Sequence, residues 1–152
     1  RARGLTRLSG LGIGLGLTDL TNGRPTADVI GEWQMINNTT LPFVPAGSRL
    51  DDSAAAYFRS RAFREALPQL TADYDMVIVD TPPAMSAAET SDIASQADGV
   101  VLVVTQGTPL RDLHDARQRL SISRTPILGY IFNRAKGSTG AYGYGYGYGR
   151  DK

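Results

Sequence analysis

Met76-Val77-Ile78-Val79-Asp80-Thr81-Pro82-Pro83 is the stretch that decides the fold of this chain. Four apolar residues, three of them β-branched, run into an acid, and a Thr-Pro-Pro corner follows at once. A continuous apolar run bounded by turn residues predicts a strand buried on both faces, as in a parallel sheet. Because open α/β sheets bind ligands at the carboxyl ends of their strands, Asp80 is the first candidate functional residue. The alternative is that Asp80 only caps the turn that follows it.

Composition excludes several classes of protein and of site. The 152 residues carry a formal net charge of +1, with 41% hydrophobic and 20% charged residues. These values predict one globular domain without a generic nucleic-acid surface. The absence of cysteine excludes disulfides and thiolate chemistry, and the single histidine, His114, disfavours a His-based triad or zinc site. No apolar run approaches the roughly 20 residues of a membrane span and no signal peptide precedes the fold, so we expect a cytoplasmic domain.

The rest of the chain predicts helices that alternate with apolar strands. Helices are predicted at 17–21, at 25–30, from an N-cap among 51–53 to Leu70, at 86–95 and at 110–120, and strands at 41–45, 100–105 and 126–133. Strands separated by helices indicate βαβ units and a parallel sheet. The ends of parallel strands lie at one edge, so Asp80-Thr81, Thr105 and Asn133-Arg134 should converge there on a ligand site.

A phosphate-binding loop is absent from the sequence. The glycine-rich segment 10–16 matches neither GxGxxG nor GxxxxGK[ST], and no strand is predicted before it. It predicts a close-packed loop that leads into a short helix. The only lysines, Lys136 and Lys152, do not follow a glycine-rich loop as a phosphate-binding lysine would.

The carboxy-terminal residues 137–152 are of low complexity, with glycine at every second place between four tyrosines, Tyr142, Tyr144, Tyr146 and Tyr148. This pattern predicts a flexible, exposed tail after a folded domain at 1–136. Such tyrosines either form an aromatic surface, for example for stacking on single-stranded nucleic acid, or are accessible phenols for phosphorylation.

Together, these features resemble the cytoplasmic kinase domain of the bacterial tyrosine autokinases (BY-kinases) of the polysaccharide co-polymerase type. That family belongs to the P-loop NTPases and is related to the MinD/ParA ATPases. Val77–Pro83 resembles its Walker B motif, 97–104 its Ala-Asp-Gly turn and apolar strand, and 131–134 its strand ending in Asn-Arg. Segments 16–20 and 44–47 match two structural motifs of the family, and its autophosphorylation site is a carboxy-terminal tyrosine cluster.

The resemblance implies an α/β fold: a three-layer, P-loop NTPase-like, mostly parallel sheet flanked by helices, incomplete at the N-terminus. It implies ATP and Mg²⁺ as cofactors, with Asp80 as the catalytic residue that holds Mg²⁺ through water. Thr81 would orient water or a phosphate oxygen, and Asn133 and Arg134 would hold the adenine base. Phosphorylation is implied at the tail tyrosines, Tyr142, Tyr144, Tyr146 and Tyr148.

The family's biology supplies further expectations. Its members regulate capsular polysaccharide or exopolysaccharide synthesis and export through phosphorylation of the tyrosine cluster. The implied partners are other copies of the chain in a ring-like oligomer, a membrane-anchored co-polymerase or activator segment, and a tyrosine phosphatase, with no nucleic acid. The implied location is cytoplasmic, at the inner face of the plasma membrane.

Two family motifs are missing from the 152 residues: the Walker A loop and the second acidic motif, Walker A′, which supplies another catalytic aspartate. We therefore expect this chain alone to be inactive and marginally stable. Two alternatives stay open. A MinD/ParA-like partition or positioning ATPase would share Asp80 but carry a carboxy-terminal amphipathic helix in place of the tail. A non-catalytic adaptor would use the tail as a phosphotyrosine or aromatic docking segment.

Overall fold

The computed structural model describes residues 4–11, 14–35, 37–48 and 53–135. These ranges contain seven helices, α1 (Gly4–Leu8), α2 (Leu17–Thr21), α3 (Thr26–Val29), α4 (Ala54–Arg59), α5 (Arg61–Thr71), α6 (Glu89–Ala94) and α7 (Leu110–Ser121). They also contain four strands, β1 (Gly31–Gln34), β2 (Thr40–Phe43), β3 (Val100–Thr105) and β4 (Ile127–Asn133). Within the described ranges, no helix is long and apolar enough to cross a membrane.

The parallel unit predicted in the carboxy-terminal half is confirmed. β3 and β4 pair in parallel, and α7 forms the connection between them. The register places Val103 beside Ile131 and Thr105 beside Asn133, with one irregularity at Val100/Val101. The last residues of both strands therefore lie side by side at one edge of the sheet, which is where the sequence predicts the ligand site.

The prediction of a doubly buried strand at Met76–Asp80 is wrong for the described structure. Residues 76–80 are neither helix nor strand, and each of them is exposed, Met76 by 77% and Ile78 by 86%. None of their amides or carbonyls forms a backbone hydrogen bond with the described part of the chain. An apolar, β-branched segment becomes a strand only when a neighbouring strand accepts and donates its backbone hydrogen bonds, and no described strand lies in that position.

The amino-terminal half contains a hairpin, of which the sequence predicts only one strand. β2 occupies most of the strand predicted at 41–45, and it pairs antiparallel with β1. The rings of Trp33 and Phe43 contact each other edge-on across this pair, with centroids 5.5 Å apart. β1 is four residues long, which is too short for a clear alternation of apolar and polar residues in the sequence.

The long helix predicted up to Leu70 is two helices that meet at Ser60. This residue is extended (φ −64°, ψ 154°) and caps α5, because its hydroxyl accepts a hydrogen bond from the Phe63 amide at 3.1 Å. Ser53 caps α4 in the same way, as the sequence predicts. The bend brings three rings together at centroid distances of 5.0–5.6 Å, those of Tyr57, Phe58 and Phe63.

The predicted helices at 17–21, 25–30 and 110–120 are confirmed as α2, α3 and α7, and the one at 86–95 is confirmed in its second half as α6. Two groups of buried side chains hold these helices. Leu20, Val29, Ala66 and Leu70 form one core, whereas Ile93, Ala94, Ala116 and Leu120 are buried where α6 packs on α7.

The glycine-rich segment leads into α2 by a close backbone contact, as predicted. The amides of Leu17 and Thr18 donate to the carbonyls of Pro45 and Ala46. A side chain at Gly16 would overlap the Pro45 carbonyl and the Gly47 amide, so only glycine permits this approach. The two motifs at 16–20 and 44–47 are therefore joined into one structural unit.

Candidate functional site

The carboxyl ends of β3 and β4 form one polar edge. Thr105 lies beside Asn133 in the register, and the Gln106 amide donates to the Asn133 carbonyl at 3.0 Å. The chain then turns through Gly107, at φ +89°, with the Thr108 amide bonded to the Thr105 carbonyl. Two of the predicted site segments, Thr105 and Asn133-Arg134, are thus brought together by strand pairing.

Asn133 and Arg134 have a local geometry that orients the Asn133 amide. The Arg134 amide donates to the Asn133 Oδ1 at 2.8 Å, and Arg134 has a left-handed backbone with φ +55°. Because Oδ1 accepts this bond, the Nδ2 group remains as a donor on an exposed side chain. Left-handed non-glycine residues cost on the order of 1 kcal/mol and are concentrated at functional sites. The pair therefore presents one amide donor and one guanidinium at the edge of the sheet.

Asp80 and Thr81 are not joined to that edge by strand pairing. The Asp80 carboxylate is exposed and forms no hydrogen bond or ion pair with the described residues. Thr81 is half-buried. The convergence that the sequence predicts is therefore found for the ends of β3 and β4, but strand pairing does not bring Asp80 and Thr81 there. Other contacts hold the segment that contains Asp80.

The backbone just after Asp80 is held by side chains from α6 and α7. The buried Thr90 hydroxyl donates to the Pro82 carbonyl at 3.1 Å. The Arg119 guanidinium donates from Nη1 to the carbonyls of Ala84 and Met85, at 3.0 and 2.9 Å. Sequence reasoning missed both side chains, because nothing in the helical pattern distinguishes Arg119 from the other arginines of α7.

The residues present fit Mg²⁺ bound mainly by oxygen atoms from outside this chain. No group of three or more His, Asp or Glu side chains in the described ranges could hold a metal ion. Mg²⁺ keeps several waters and usually takes only one or two carboxylates together with substrate phosphates. A single exposed acid, Asp80, suits that coordination. The sequence has no GxxxxGK[ST] loop, so none of its segments has the pattern of a loop that binds nucleotide phosphates.

A second aspartate, Asp19, has the opposite environment. Its carboxylate accepts hydrogen bonds from the amides of Gly16 and Ser48 at 2.9 and 3.1 Å, and from the Ser48 hydroxyl at 2.9 Å. Partial desolvation raises the pKa of Asp19, but these bonds and that of the Thr18 hydroxyl outweigh it, so the pKa lies below its usual value of 3.8. All of the partners belong to the chain, so Asp19 is a structural residue of the α2 unit.

One groove of the described residues lies away from this edge. It is open, about 530 Å³ in volume, and lies at the amino-terminal end of β4. Its lining residues are His114, Arg117, Gln118, Ser121, Thr125 and Ile127. His114 is exposed there, as the sequence predicts. The four tail tyrosines, Tyr142, Tyr144, Tyr146 and Tyr148, lie outside the described residues.

Comparison with known proteins identifies the family. No family model matches the chain. The chain is 30% identical over 130 residues to the tyrosine-protein kinase CpsD of Streptococcus agalactiae, an alignment that covers 84% of this chain and 55% of CpsD. It is 32% identical to the tyrosine-protein kinase ptk of Acinetobacter johnsonii, over 84% of this chain and 17% of ptk. It is 34% identical to the tyrosine-protein kinase YwqD of Bacillus subtilis, over 68% of this chain and 44% of YwqD.

A solved structure agrees with these relatives. The crystal structure of the VpsO kinase domain superposes with a TM-score of 0.71 at 25% identity, over 82% of this chain and 60% of that domain. The match supports the predicted α/β, P-loop-type fold. The chain spans about half the length of CpsD and a smaller share of the other relatives. The chain therefore belongs to the bacterial tyrosine-protein kinases, the BY-kinases, and corresponds to part of their kinase domain.

Proposed function

We propose that this chain forms part of an ATP-dependent protein-tyrosine kinase that acts on its own carboxy-terminal tyrosines. The observation that carries the proposal is the polar edge at which strand pairing joins Thr105 to Asn133, in a chain whose relatives are all named tyrosine-protein kinases. The names of those relatives also disfavour a MinD/ParA-like positioning ATPase.

In this proposal, Asn133 and Arg134 bind the base of the nucleotide. The Asn133 Nδ2 group is free to donate because Oδ1 is already bonded to the Arg134 amide, and a fixed donor of this kind suits a ring nitrogen of adenine. The Arg134 guanidinium, exposed and always charged, can stack on the same ring. Adenine would thus lie at the carboxyl end of β4.

Asp80 would hold Mg²⁺ through a bridging water molecule, and Thr81 would orient that water or a phosphate oxygen. Mg²⁺, when bound, neutralises the charge that develops on the transferring phosphoryl group. The exposed Asp80 carboxylate can accept hydrogen bonds from metal-bound waters, since no described residue occupies it. The group that removes the proton from tyrosine belongs, in the family, to a motif that this sequence lacks.

The acceptors would be Tyr142, Tyr144, Tyr146 and Tyr148, on a tail at 137–152 that follows a folded domain at 1–136. Each phosphorylation would add nearly two negative charges to this segment, in which glycine alternates with tyrosine. We further propose that the protein regulates polysaccharide synthesis or export, at the inner face of the membrane. Its partners in this proposal are other copies in a ring, a membrane-anchored activator segment and a tyrosine phosphatase.

The test uses the product of the complete open reading frame that contains this chain. With radiolabelled ATP and Mg²⁺, wild type should label on tyrosine, and a variant with the four tail tyrosines changed to Phe should lose that label. The matched control changes Tyr74 and Tyr130 to Phe, because both are exposed and lie outside the tail. Residues 1–152 alone should show negligible turnover, because the phosphate loop is absent.

Three outcomes would redirect or contradict parts of the proposal. Labelling that persists in the four-Phe variant would move the acceptors elsewhere. If the complete product does not label itself, but an active kinase of the family labels the tail in trans, the protein is a phosphotyrosine-tail adaptor and not a kinase. Measured turnover by residues 1–152 would contradict the assignment of Asp80 to an incomplete site.

A further inference from the structure

α7 holds the backbone that follows Asp80 through one arginine. The Arg119 Nη1 atom donates to two consecutive carbonyls, those of Ala84 and Met85, at 3.0 and 2.9 Å. The Arg119 carbonyl in turn accepts the Ser91 hydroxyl of α6, at 3.5 Å. Hydrogen bonds from a charged donor are about twice as strong as those between neutral groups, so this contact is a firm attachment.

The same backbone has a second attachment two to three residues nearer to Asp80. The Thr90 side chain is 6% exposed, and its hydroxyl donates to the Pro82 carbonyl at 3.1 Å. The turn between the two attachments is closed by the Ser86 amide, which donates to the Pro83 carbonyl at 2.9 Å. Residues 82–86 are therefore fixed to α6 and α7 together.

The connection from these attachments to Asp80 is short and stiff. Pro82 and Pro83 have fixed φ angles, and a residue before a proline is restricted in its own backbone. Thr81 and Pro82 both precede a proline, so only the backbone of Thr81 separates Asp80 from a restrained segment. Two residues span at most about 7 Å, so the Asp80 Cα must lie within about that distance of the Pro82 Cα.

No strand pairing competes with this restraint in the described ranges. Residues 76–80 form no backbone hydrogen bonds there, so the described hydrogen bonds from other elements that lie nearest to Asp80 in the chain are those that α6 and α7 donate to the carbonyls of residues 82, 84 and 85. α7 is also the connection between these two strands, whose carboxyl ends carry Thr105 and Asn133. Arg119 thus links the segment that contains Asp80 to the β3–α7–β4 unit, which carries Thr105 and Asn133.

We infer that Arg119 is a positioning residue for Asp80, acting through the carbonyls of Ala84 and Met85. The catalytic part of this inference rests on the proposed function, in which Asp80 would hold a metal-bound water. Arg119 is not itself placed in contact with nucleotide or metal.

The test compares Arg119→Met, Arg119→Lys and Arg117→Met in the complete gene product. Arg117 is the matched control, since it lies two residues earlier on the same helix, is exposed, and forms no hydrogen bond or ion pair with the described residues. In Arg119→Met, amide exchange at Ser86 should become about tenfold faster, because the turn that it closes loses its charged donor. Arg119→Lys should restore part of the protection, and Arg117→Met should exchange like wild type.

A second measurement separates positioning from a general loss of stability. In Arg119→Met, the Mg²⁺ concentration for half-maximal tyrosine phosphorylation should rise about tenfold, whereas the KM for the acceptor tyrosine should stay within about twofold. Thr90→Val, which removes the hydroxyl that holds Pro82, should move Mg²⁺ dependence in the same direction.

The two claims fail in different ways. Unchanged Ser86 exchange in Arg119→Met, or a Mg²⁺ dependence equal to that of Arg117→Met, overturns the role of Arg119. A wild-type product that never labels tyrosine overturns the proposed kinase function. In that case the exchange measurement alone still decides whether Arg119 fixes the Asp80 segment.

Discussion

Two apolar segments of this chain, Met76–Asp80 and β3, are alike in sequence and different in structure. Each is rich in β-branched residues, and each ends in a polar residue at a turn. β3 pairs with β4 along its full length, whereas residues 76–80 have no strand partner in the described ranges and are exposed throughout. The difference shows that an apolar run encodes the capacity to form a strand, and that the neighbouring strand decides whether it does so.

β3 and the Met76–Asp80 segment also differ in the contacts that hold them in place. β3 is fixed by its ladder with β4. The Asp80 segment is fixed beyond its end, by Thr90 and Arg119 on the backbone after Thr81. The candidate site therefore combines one part set by sheet pairing with another set by side chains of helices.

The largest expected contrast is between a buried apolar side chain of α7, the connection between β3 and β4, and an exposed apolar side chain of residues 76–80. Leu120, in α7, is 2% exposed, and Ile78 is 86% exposed. Leu120→Ala should lower the free energy of unfolding by about 2–5 kcal/mol, through lost burial and a cavity. Ile78→Ala should change it by less than about 0.5 kcal/mol. Urea unfolding of both variants measures this, and a cost above about 2 kcal/mol for Ile78→Ala would mean that the segment is covered in solution.

The next-largest effect is an expected difference in the rate of amide hydrogen exchange between the two segments. The amides of Val100 and Gln106, at the ends of β3, donate to the carbonyls of Pro126 and Asn133. They should exchange on the order of 100-fold more slowly than the amide of Ile78, which has no described acceptor. Exchange resolved by residue tests this. Equal protection at Ile78 would show that a strand pairs with it in solution.

A smaller contrast separates the two aspartates. Asp19→Ala should lower the free energy of unfolding by about 1–3 kcal/mol, because the Gly16 and Ser48 amides lose their acceptor. Asp80→Ala should change it by less than about 0.5 kcal/mol, since its carboxylate has no partner among the described residues. Thermal unfolding of both variants tests these expectations. A large loss of stability in Asp80→Ala would show that the Asp80 carboxylate has a bonding partner in solution.

The smallest expected effect is the pH dependence of the Asp19 contribution. The folded pKa of Asp19 lies below 3.8, so the native state favours the charged carboxylate more than the unfolded chain does. Its contribution is therefore fully present above 3.8 and is lost as the pH falls through the folded pKa. The difference in stability between wild type and Asp19→Asn should be constant above about pH 5 and should shrink below 3.8. A difference that grows on acidification would contradict this sign.

Several features were predictable because they depend on neighbours in sequence. The bounds of β3 and α2 follow from apolar runs and from glycine or turn residues at their ends. The Ser53 cap follows from residue type, and so does the exposure of His114 among charged residues. At the site, the sequence alone predicted that Thr105 and Asn133 meet, because consecutive parallel strands end at the same edge.

Other features depend on contacts that no local pattern encodes. Ser60 interrupts the predicted helix because its cap and the packing of three aromatic rings together favour a bend. Thr90 and Arg119 reach the backbone after Asp80 across eight and 34 or more residues of chain. Such distances in sequence are set by packing of α6 on α7 and carry no periodic signal.

The sequence by itself therefore determined the kinase-family motifs, the parallel β3–α7–β4 unit and the identity of Asp80 as the acid at the end of an apolar run. The tertiary structure decided that β3 is a strand while residues 76–80 are not, because a strand requires hydrogen-bonding partners from elsewhere in the molecule. It also decided that Asp19 is held by four donors of its own unit, whereas the Asp80 carboxylate has no partner among the described residues.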